Sequence, residues 1–100
     1  MATNKDQTER AVLVTTVHRG VFFGYAEDTS GDTVILTNAR NCIYWPSANG
    51  GFMGLASEGP ATDARIGARV GQLELRKVTS VAEVSEIAVK AWEAADVYRG

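Results

Sequence analysis

The sequence predicts an α+β domain: a small, curved antiparallel sheet or partly open barrel, with one short helix and a C-terminal amphipathic helix. Runs of β-branched and aromatic residues such as AVLVTTV and VFFGYAE are separated by turn-forming residues, which indicates successive strands. The stretch QLELRKV alternates apolar with polar residues, as a strand does when one face is wet. The last segment changes to helical spacing, and a chain of 100 residues has the usual size of one domain.

The first strands follow one another through short turns. AVLVTTV is the first strand, HRG reverses the chain at Gly20, and VFFGYAE is the second strand. DTSGD predicts a turn, because Asp and Ser side chains bond their own backbone and Gly31 accepts positive φ. TVILTNAR is the third strand, and NCIYW is a fourth strand or a continuation of the third. Pro46 ends the pairing because it has no N–H to donate.

The second half of the chain predicts one short helix and two more strands. FMGLASEG is read as a helix that ends at Gly59, with Pro60 as the stop. ARIGARV and QLELRKV are read as two strands divided at Gly71. These elements complete the predicted sheet.

The C-terminal segment predicts a helix over 80–97. Ser80 followed three residues later by Glu83 is a capping-box pattern, and apolar residues then recur on one helical face. We therefore expect one β-rich domain over 10–100. The polar residues 1–9 are expected to form a flexible arm.

Composition restricts the classes of function. A net charge of −2 gives no overall attraction to duplex DNA or to an anionic membrane. The single cysteine, Cys42, excludes an internal disulfide and counts against a cysteine-based zinc site. The sequence has no long apolar run and no signal peptide, so we expect a cytoplasmic, reducing environment.

Patterns typical of enzymes are missing from the sequence. His18 is the single histidine, and no G-x-S-x-G, phosphate-binding G-x-x-x-x-G-K or dinucleotide motif is present. Glu27, Asp28 and Asp32 flank a turn and are read as turn formers. The sequence therefore predicts a non-enzymatic protein with no catalytic residues, metal or cofactor.

A candidate ligand site lies mostly in the middle of the chain. Guanidinium groups match phosphate geometry, aromatic faces stack on bases, and a glycine-rich helix entry presents N–H groups to an anion. Arg19 and Arg40 would hold phosphate, and Tyr44 or Trp45 would stack on a base. Polar side chains would read base edges or ribose hydroxyls, and these are Asn38, Asn41, Ser47 and Asn49. The predicted ligand is a nucleotide or a cyclic oligonucleotide.

The same residues also admit a structural role. Adjacent strand residues point to opposite faces, so at most one of Tyr44 and Trp45 lines a pocket. Arg40 can instead pair with an acidic residue across the sheet, and the candidates are Asp28, Asp32 and Glu58.

A homo-oligomer is expected because the first two strands are apolar on both faces. A chain of this length has little material with which to cover two faces. The alternative is that the C-terminal helix covers one face and the barrel interior takes the other.

The motifs RGVFFG, TVILTNARNCIYW, LASEGP and VTSVAEV resemble a family of small uncharacterised proteins of tailed phages and prophages. The family pattern G-V-F-x-G, L-x-x-A-R, Y-W and L-A-x-x-G covers roughly residues 10–85. It maps onto Gly20, Val21, Phe22 and Gly24, then Leu36, Ala39 and Arg40, then Tyr44 and Trp45, then Leu55, Ala56 and Gly59. The longer acidic amphipathic helix departs from the pattern. The resemblance implies phage origin and action in the host cytoplasm, where small oligomeric phage proteins sequester nucleotide immune signals.

The residues and the resemblance together give one leading hypothesis. The chain would be an anti-defence sponge, a homo-oligomer that binds a cyclic oligonucleotide or an ADP-ribose derivative and so blocks host antiviral signalling. Two alternatives stay open. One is a protein-interaction or virion-assembly module, and the other is single-stranded nucleic-acid binding on a barrel of the OB or Sm type.

Overall fold

An antiparallel sheet of six strands forms most of the protein. The computed structural model describes residues 9–17 and 20–98. The strands are β1 (Arg10–Thr16), β2 (Val21–Ala26), β3 (Val34–Tyr44), β4 (Arg65–Ile66), β5 (Val70–Leu75) and β6 (Val78–Glu83). The helices are α1 (Gly51–Ser57) and α2 (Glu86–Ala94), and a 3-10 turn (Ser47–Asn49) precedes α1.

The strand order is β4-β3-β2-β1-β6, and β5 also pairs with β3. The long strand β3 serves two partners on one edge: its first half pairs with β5 from Val34 opposite Leu75, and its last residues pair with β4. Within the half that pairs with β5, Asn38 has φ of 50°, a left-handed conformation that asparagine adopts more readily than most residues. β3 changes partner beyond Ala39, the last of its residues opposite β5, and pairs with β4 from Cys42.

Both faces of β1 and β2 are buried within this one chain. On one face the core is formed by sheet residues under the helices, among them Leu13, Phe23, Leu55, Ile66 and Trp92. On the other face the curved sheet packs on itself, through residues that include Val12, Val14, Val34, Leu36 and Leu75. This is the alternative to the predicted interface: the helices cover one face and the sheet's own curvature covers the other.

The helix α2 is fixed to the sheet by its aromatic residue. The Trp92 ring stacks on Phe23 with the centroids 5.0 Å apart, and its Nε1–H donates to the carbonyl of Leu55 at 3.0 Å. At the start of α2, the Ser85 hydroxyl accepts a hydrogen bond from the Ala88 N–H and donates to the Ser57 carbonyl at 2.7 Å. α2 thus packs against both the sheet and α1, and α1 also contacts the sheet at β1 and β6.

The predicted α+β class is wrong, because the fold is dominated by the sheet. The helices have only seven and nine residues. The C-terminal helix begins at Glu86 instead of Ser80, and Ser80 and Glu83 lie in β6, where they pair with β1. These residues pair with the edge of β1 that β2 leaves free. This tertiary pairing overrides the local capping pattern.

One other predicted boundary differs from the structure: Gly71 lies inside β5 instead of dividing two strands. NCIYW mostly continues β3, which is one of its two predicted alternatives. The short helix predicted over FMGLASEG is present as α1, and Gly59 has positive φ just beyond it. Apart from Glu9, the predicted N-terminal arm falls outside the described residues. Among the helices that the structure describes, none has the length and apolarity to cross a membrane.

Candidate ligand site

Arg40, the predicted phosphate ligand, is buried at the end of α2 and is 3% exposed. Its Nε donates to the Gly67 carbonyl at 3.0 Å, and one terminal nitrogen donates to the carbonyls of Trp92 and Ala95, each at 2.8 Å. The last carbonyls of a helix have no partner within the helix, so Arg40 satisfies groups that would otherwise be buried unpaired.

The surroundings of Arg40 change the pKa of its guanidinium group. Burial lowers the pKa of the guanidinium, and the nearby positive charge of Arg69 lowers it further. Backbone carbonyls take the place of the acidic partners considered from the sequence. Arg40 therefore joins α2 to the backbone at Gly67, and its bonded donors face the interior.

The other predicted polar residues are distributed over several local structures. Asn38 is exposed, and its carbonyl accepts from Arg69 at 3.4 Å. The Asn49 side chain donates to the Gly59 carbonyl and accepts from the Ala61 N–H, both at 2.9 Å, so it ties the 3-10 turn to the loop after α1.

Asn41 and Ser47 are exposed, and Trp45 is half-buried against the core beneath the helices. The Asn41 carbonyl accepts from the Gly67 N–H at 2.9 Å. Arg19 lies outside the described residues. The structure therefore does not collect the seven predicted residues that it describes into one pocket.

Tyr44 is the predicted residue that does belong to an exposed cluster of binding groups. The guanidinium carbon of Arg65 lies 5.0 Å from the centroid of the Tyr44 ring and 5.0 Å from that of Tyr98. The two tyrosines are 45% and 41% exposed, and Arg65 is exposed as well. We call Tyr44, Arg65 and Tyr98 the tyrosine–arginine cluster.

Strand pairing assembles this cluster from three distant parts of the chain. Tyr44 at the end of β3 lies opposite Arg65 in β4. The C-terminal segment then forms a parallel bridge between Ile66 and Val97, and the Tyr98 N–H donates to the Ile66 carbonyl at 2.8 Å. The backbone therefore sets the position of all three side chains.

Arg65 differs from Arg10, Arg69 and Arg76 in having no acidic partner among the described residues. Three arginine–glutamate pairs occur among residues 9–17 and 20–98: Arg10–Glu83, Arg69–Glu93 and Arg76–Glu74. Within the same residues, Arg65 forms no salt bridge. Stacking on a ring uses the flat face of a guanidinium and leaves its in-plane N–H donors available for an anion.

A cleft of about 630 Å³ adjoins the tyrosine–arginine cluster. Tyr98 lines the cleft and also lies under the Arg65 guanidinium, so the cleft meets the cluster at this ring. Its walls are rich in alanine, namely Ala61, Ala64, Ala91, Ala94 and Ala95. Small-molecule sites occupy roughly 300–1,000 Å³, so the cleft has a suitable size.

Sequence reasoning missed Arg65 and Tyr98. Arg65 follows an irregular loop, and Tyr98 lies beyond the helix in a segment predicted to be helical up to 97. Neither residue is close to Tyr44 in the sequence. The pairing of β4 with β3 and with the C-terminal segment brings the three residues together, and no local sequence pattern predicts this pairing.

Comparisons with known proteins agree with the β-rich architecture. The sequence model of the family described as "Domain of unknown function (DUF6948)" matches residues 9–92. A comparison with curated proteins gives no match. Among solved structures, the chain is similar to a heptameric archaeal Sm protein, with a TM-score of 0.51 and 17% identity, over 85% of this chain and all of the other. At this identity the likeness concerns the fold, and an Sm-like fold also overturns the predicted α+β class.

Proposed function

We propose that this chain, which belongs to the DUF6948 family of domains of unknown function, is a non-enzymatic binding protein for a nucleotide-type ligand. The observation that carries the proposal is the tyrosine–arginine cluster: an exposed guanidinium without an acidic partner among the described residues lies over two half-exposed rings. A phosphate would bind the Arg65 donors, and a base would stack on a tyrosine face or enter the adjoining cleft. The proposed site thus keeps Tyr44 and replaces Arg40 by Arg65.

Free strand edges support assembly into a homo-oligomer. Within the described residues, β5 pairs with β3 alone and β6 pairs with β1 alone, so each leaves one edge unpaired. Free backbone N–H and C=O groups on such edges favour pairing with another strand. The archaeal Sm protein of similar fold is heptameric. We propose that β5 of one copy pairs with β6 of the next.

The finer proposal is a phage-type protein that sequesters a nucleotide second messenger, either a cyclic oligonucleotide or an ADP-ribose derivative. The sequence motifs that resemble phage and prophage proteins support it. Sequestration is stoichiometric, so it requires tight binding and abundant protein but no catalytic group. We expect such a protein to restore phage growth in a host that signals through the bound messenger.

A thermal-unfolding screen with cyclic di-GMP, cyclic di-AMP, ADP-ribose and AMP tests the proposal. A bound ligand at 100-fold its Kd adds about 2.7 kcal/mol to the free energy of unfolding and raises Tm. Arg65→Met should abolish the shift. Arg76→Met is the matched control, since Arg76 is an exposed arginine paired with Glu74 and remote in sequence from the cluster. If no nucleotide raises Tm, or if both variants respond alike, the proposal is wrong.

A second candidate function is binding of single-stranded nucleic acid, which the Sm-like fold favours. The same cluster would then stack on bases of a strand. Gel shifts with oligouridylate separate the two functions, because affinity for a strand falls steeply with salt. Oligonucleotide binding without mononucleotide binding would favour the second function.

A further inference from the structure

The cleft beside the tyrosine–arginine cluster has one negatively charged side chain in its lining. Its walls carry the methyl groups of alanines together with Pro60, which present a smooth apolar surface to a flat ring. Asp96 supplies the carboxylate, and Thr62 supplies a hydroxyl. A flat ring bound in this cleft would therefore meet few polar side chains. These few polar side chains would determine which ring the cleft selects.

Asp96 is available for a ligand. It is exposed, and within the described residues it takes part in no salt bridge and no side-chain hydrogen bond. A carboxylate offers two oxygens that accept hydrogen bonds and has no donor of its own. A ligand edge that carries two neighbouring N–H donors matches it, whereas an edge with an exposed acceptor does not.

We infer that the site selects guanine nucleotides, with the phosphate on Arg65, the base in the alanine-walled cleft and the base edge on Asp96. Guanine presents its N1–H and its N2 amino group side by side, so both can donate to one carboxylate. Adenine presents one amino group beside the N1 acceptor, which faces the carboxylate oxygen unfavourably. This inference rests on the proposed function and narrows its ligand class, since it favours a guanine-containing cyclic oligonucleotide over an ADP-ribose derivative, whose base is adenine.

Isothermal titration with GMP and AMP tests the inference directly. We expect GMP to bind about tenfold or more tightly than AMP, since a good bidentate pair discriminates between bases by about that factor. Guanosine should bind less tightly than GMP, because it lacks the group held by Arg65. Equal affinities for GMP and AMP would overturn the inference while leaving the proposed function standing.

Asp96→Asn provides the sharper test. A carboxamide offers one acceptor and one donor, so it pairs with the adenine edge and no longer accepts two N–H groups from guanine. The variant should lose about tenfold in GMP affinity, and the GMP-to-AMP ratio should fall to one or below. Asp63→Asn, at an exposed aspartate that does not line the cleft, is the matched control and should leave the ratio unchanged.

Arg65→Met distinguishes failure of the inference from failure of the proposed function. It should weaken GMP and AMP alike and leave their ratio intact, because Arg65 contacts the shared phosphate. If Asp96→Asn leaves the ratio of the parent protein unchanged, the base does not lie against Asp96 and the inference is wrong. If the parent protein binds neither GMP nor AMP but another nucleotide of the thermal screen raises its Tm, the inference alone is wrong. If none of these nucleotides binds, the proposed function fails together with the inference.

Discussion

Arg40 and Arg65 place the same functional group in opposite surroundings. Arg40 is buried and donates three hydrogen bonds to backbone carbonyls, whereas Arg65 is exposed and lies over the rings of Tyr44 and Tyr98. Both stand in strands that are neighbours in the sheet. The difference teaches that the elements brought against an arginine, and not the residues beside it in sequence, determine whether it supports the fold or remains free to bind.

Removal of the buried guanidinium should have the largest effect. Arg40→Met leaves the carbonyls of Gly67, Trp92 and Ala95 without their donor, and we expect a loss of roughly 2–4 kcal/mol in the free energy of unfolding. Urea denaturation measures it, with Arg76→Met as an exposed control expected within about 0.5 kcal/mol of the parent. An Arg40→Met protein as stable as this control would show that the carbonyls do not depend on Arg40.

Gly67 tests the same region without altering Arg40. A Cβ at Gly67 would meet Asn41 Oδ1, the end of an exposed side chain that can rotate away, so Gly67→Ala should cost about 1 kcal/mol or less. Since the obstructing atom belongs to a side chain, Asn41→Ala should recover much of the loss in the double variant. Gly71→Ala is the control, because no atom lies within 4 Å of its added Cβ. Additive effects of the two substitutions would contradict this explanation.

The exposed guanidinium should contribute much less to stability. Arg65→Met and Tyr44→Leu are each expected to lower the free energy of unfolding by less than about 1 kcal/mol, since exposed cation–π contacts contribute about 0.5–1 kcal/mol. A double-mutant cycle measured by urea denaturation isolates the coupling between them. A coupling above about 2 kcal/mol would show that the cluster stabilises the fold as Arg40 does. The distinction between a structural Arg40 and an available Arg65 would then be wrong.

Cys42, two residues after Arg40 in β3, should have the smallest effect on stability. The reactivity of its thiol reports how well the fold buries this part of the strand. Cys42 is 7% exposed, and burial raises the pKa of its thiol from 9.0 to about 11. Because the folded pKa is raised, the stabilising contribution is complete below about pH 9 and is lost as pH rises toward 11. Iodoacetamide should label the native protein slowly at pH 8 and the urea-unfolded protein rapidly, as followed by mass spectrometry.

The pH dependence has its own control. Burial and the Glu93 carboxylate raise the pKa of Tyr25 to about 12, which gives the same sign at alkaline pH. Comparison of the urea midpoint of the parent with that of Cys42→Ala between pH 8 and pH 11 isolates the cysteine. If the two proteins lose stability in parallel, the thiol is not protected by the fold.

Local pattern was sufficient for the elements that pair with their neighbours in sequence. β1 and β2 form from consecutive runs of β-branched and aromatic residues, pair with each other, and lie close to their predicted positions. Local pattern failed at Ser80 and Glu83, where a plausible helix start became β6. There the decisive partner is β1, at the far end of the chain, and no local rule contains it.

The candidate site was predictable only at Tyr44. The structure exposes Tyr44 and leaves the next residue, Trp45, half-buried against the core, so that only one of the two aromatic residues belongs to the cluster. Arg40 was placed in the wrong environment because α2 closes over it, and Arg65 and Tyr98 were missed because β4 and the Ile66–Val97 bridge join segments that are distant in sequence. The sequence shows which side chains could bind a ligand. Which of them lie together depends on pairing between segments that are distant in the sequence.

The pairing of Val12 with Glu83 also bears on how the protein folds. β1 is synthesised first, yet one of its edges stays unsatisfied until β6 has emerged from the ribosome. Chains dominated by such non-local pairings fold on the millisecond-to-second scale, and their unpaired edges promote aggregation in the meantime. The sheet therefore closes only once β6 is available to β1, and chaperones that shield β1 until then should raise the yield of folded protein.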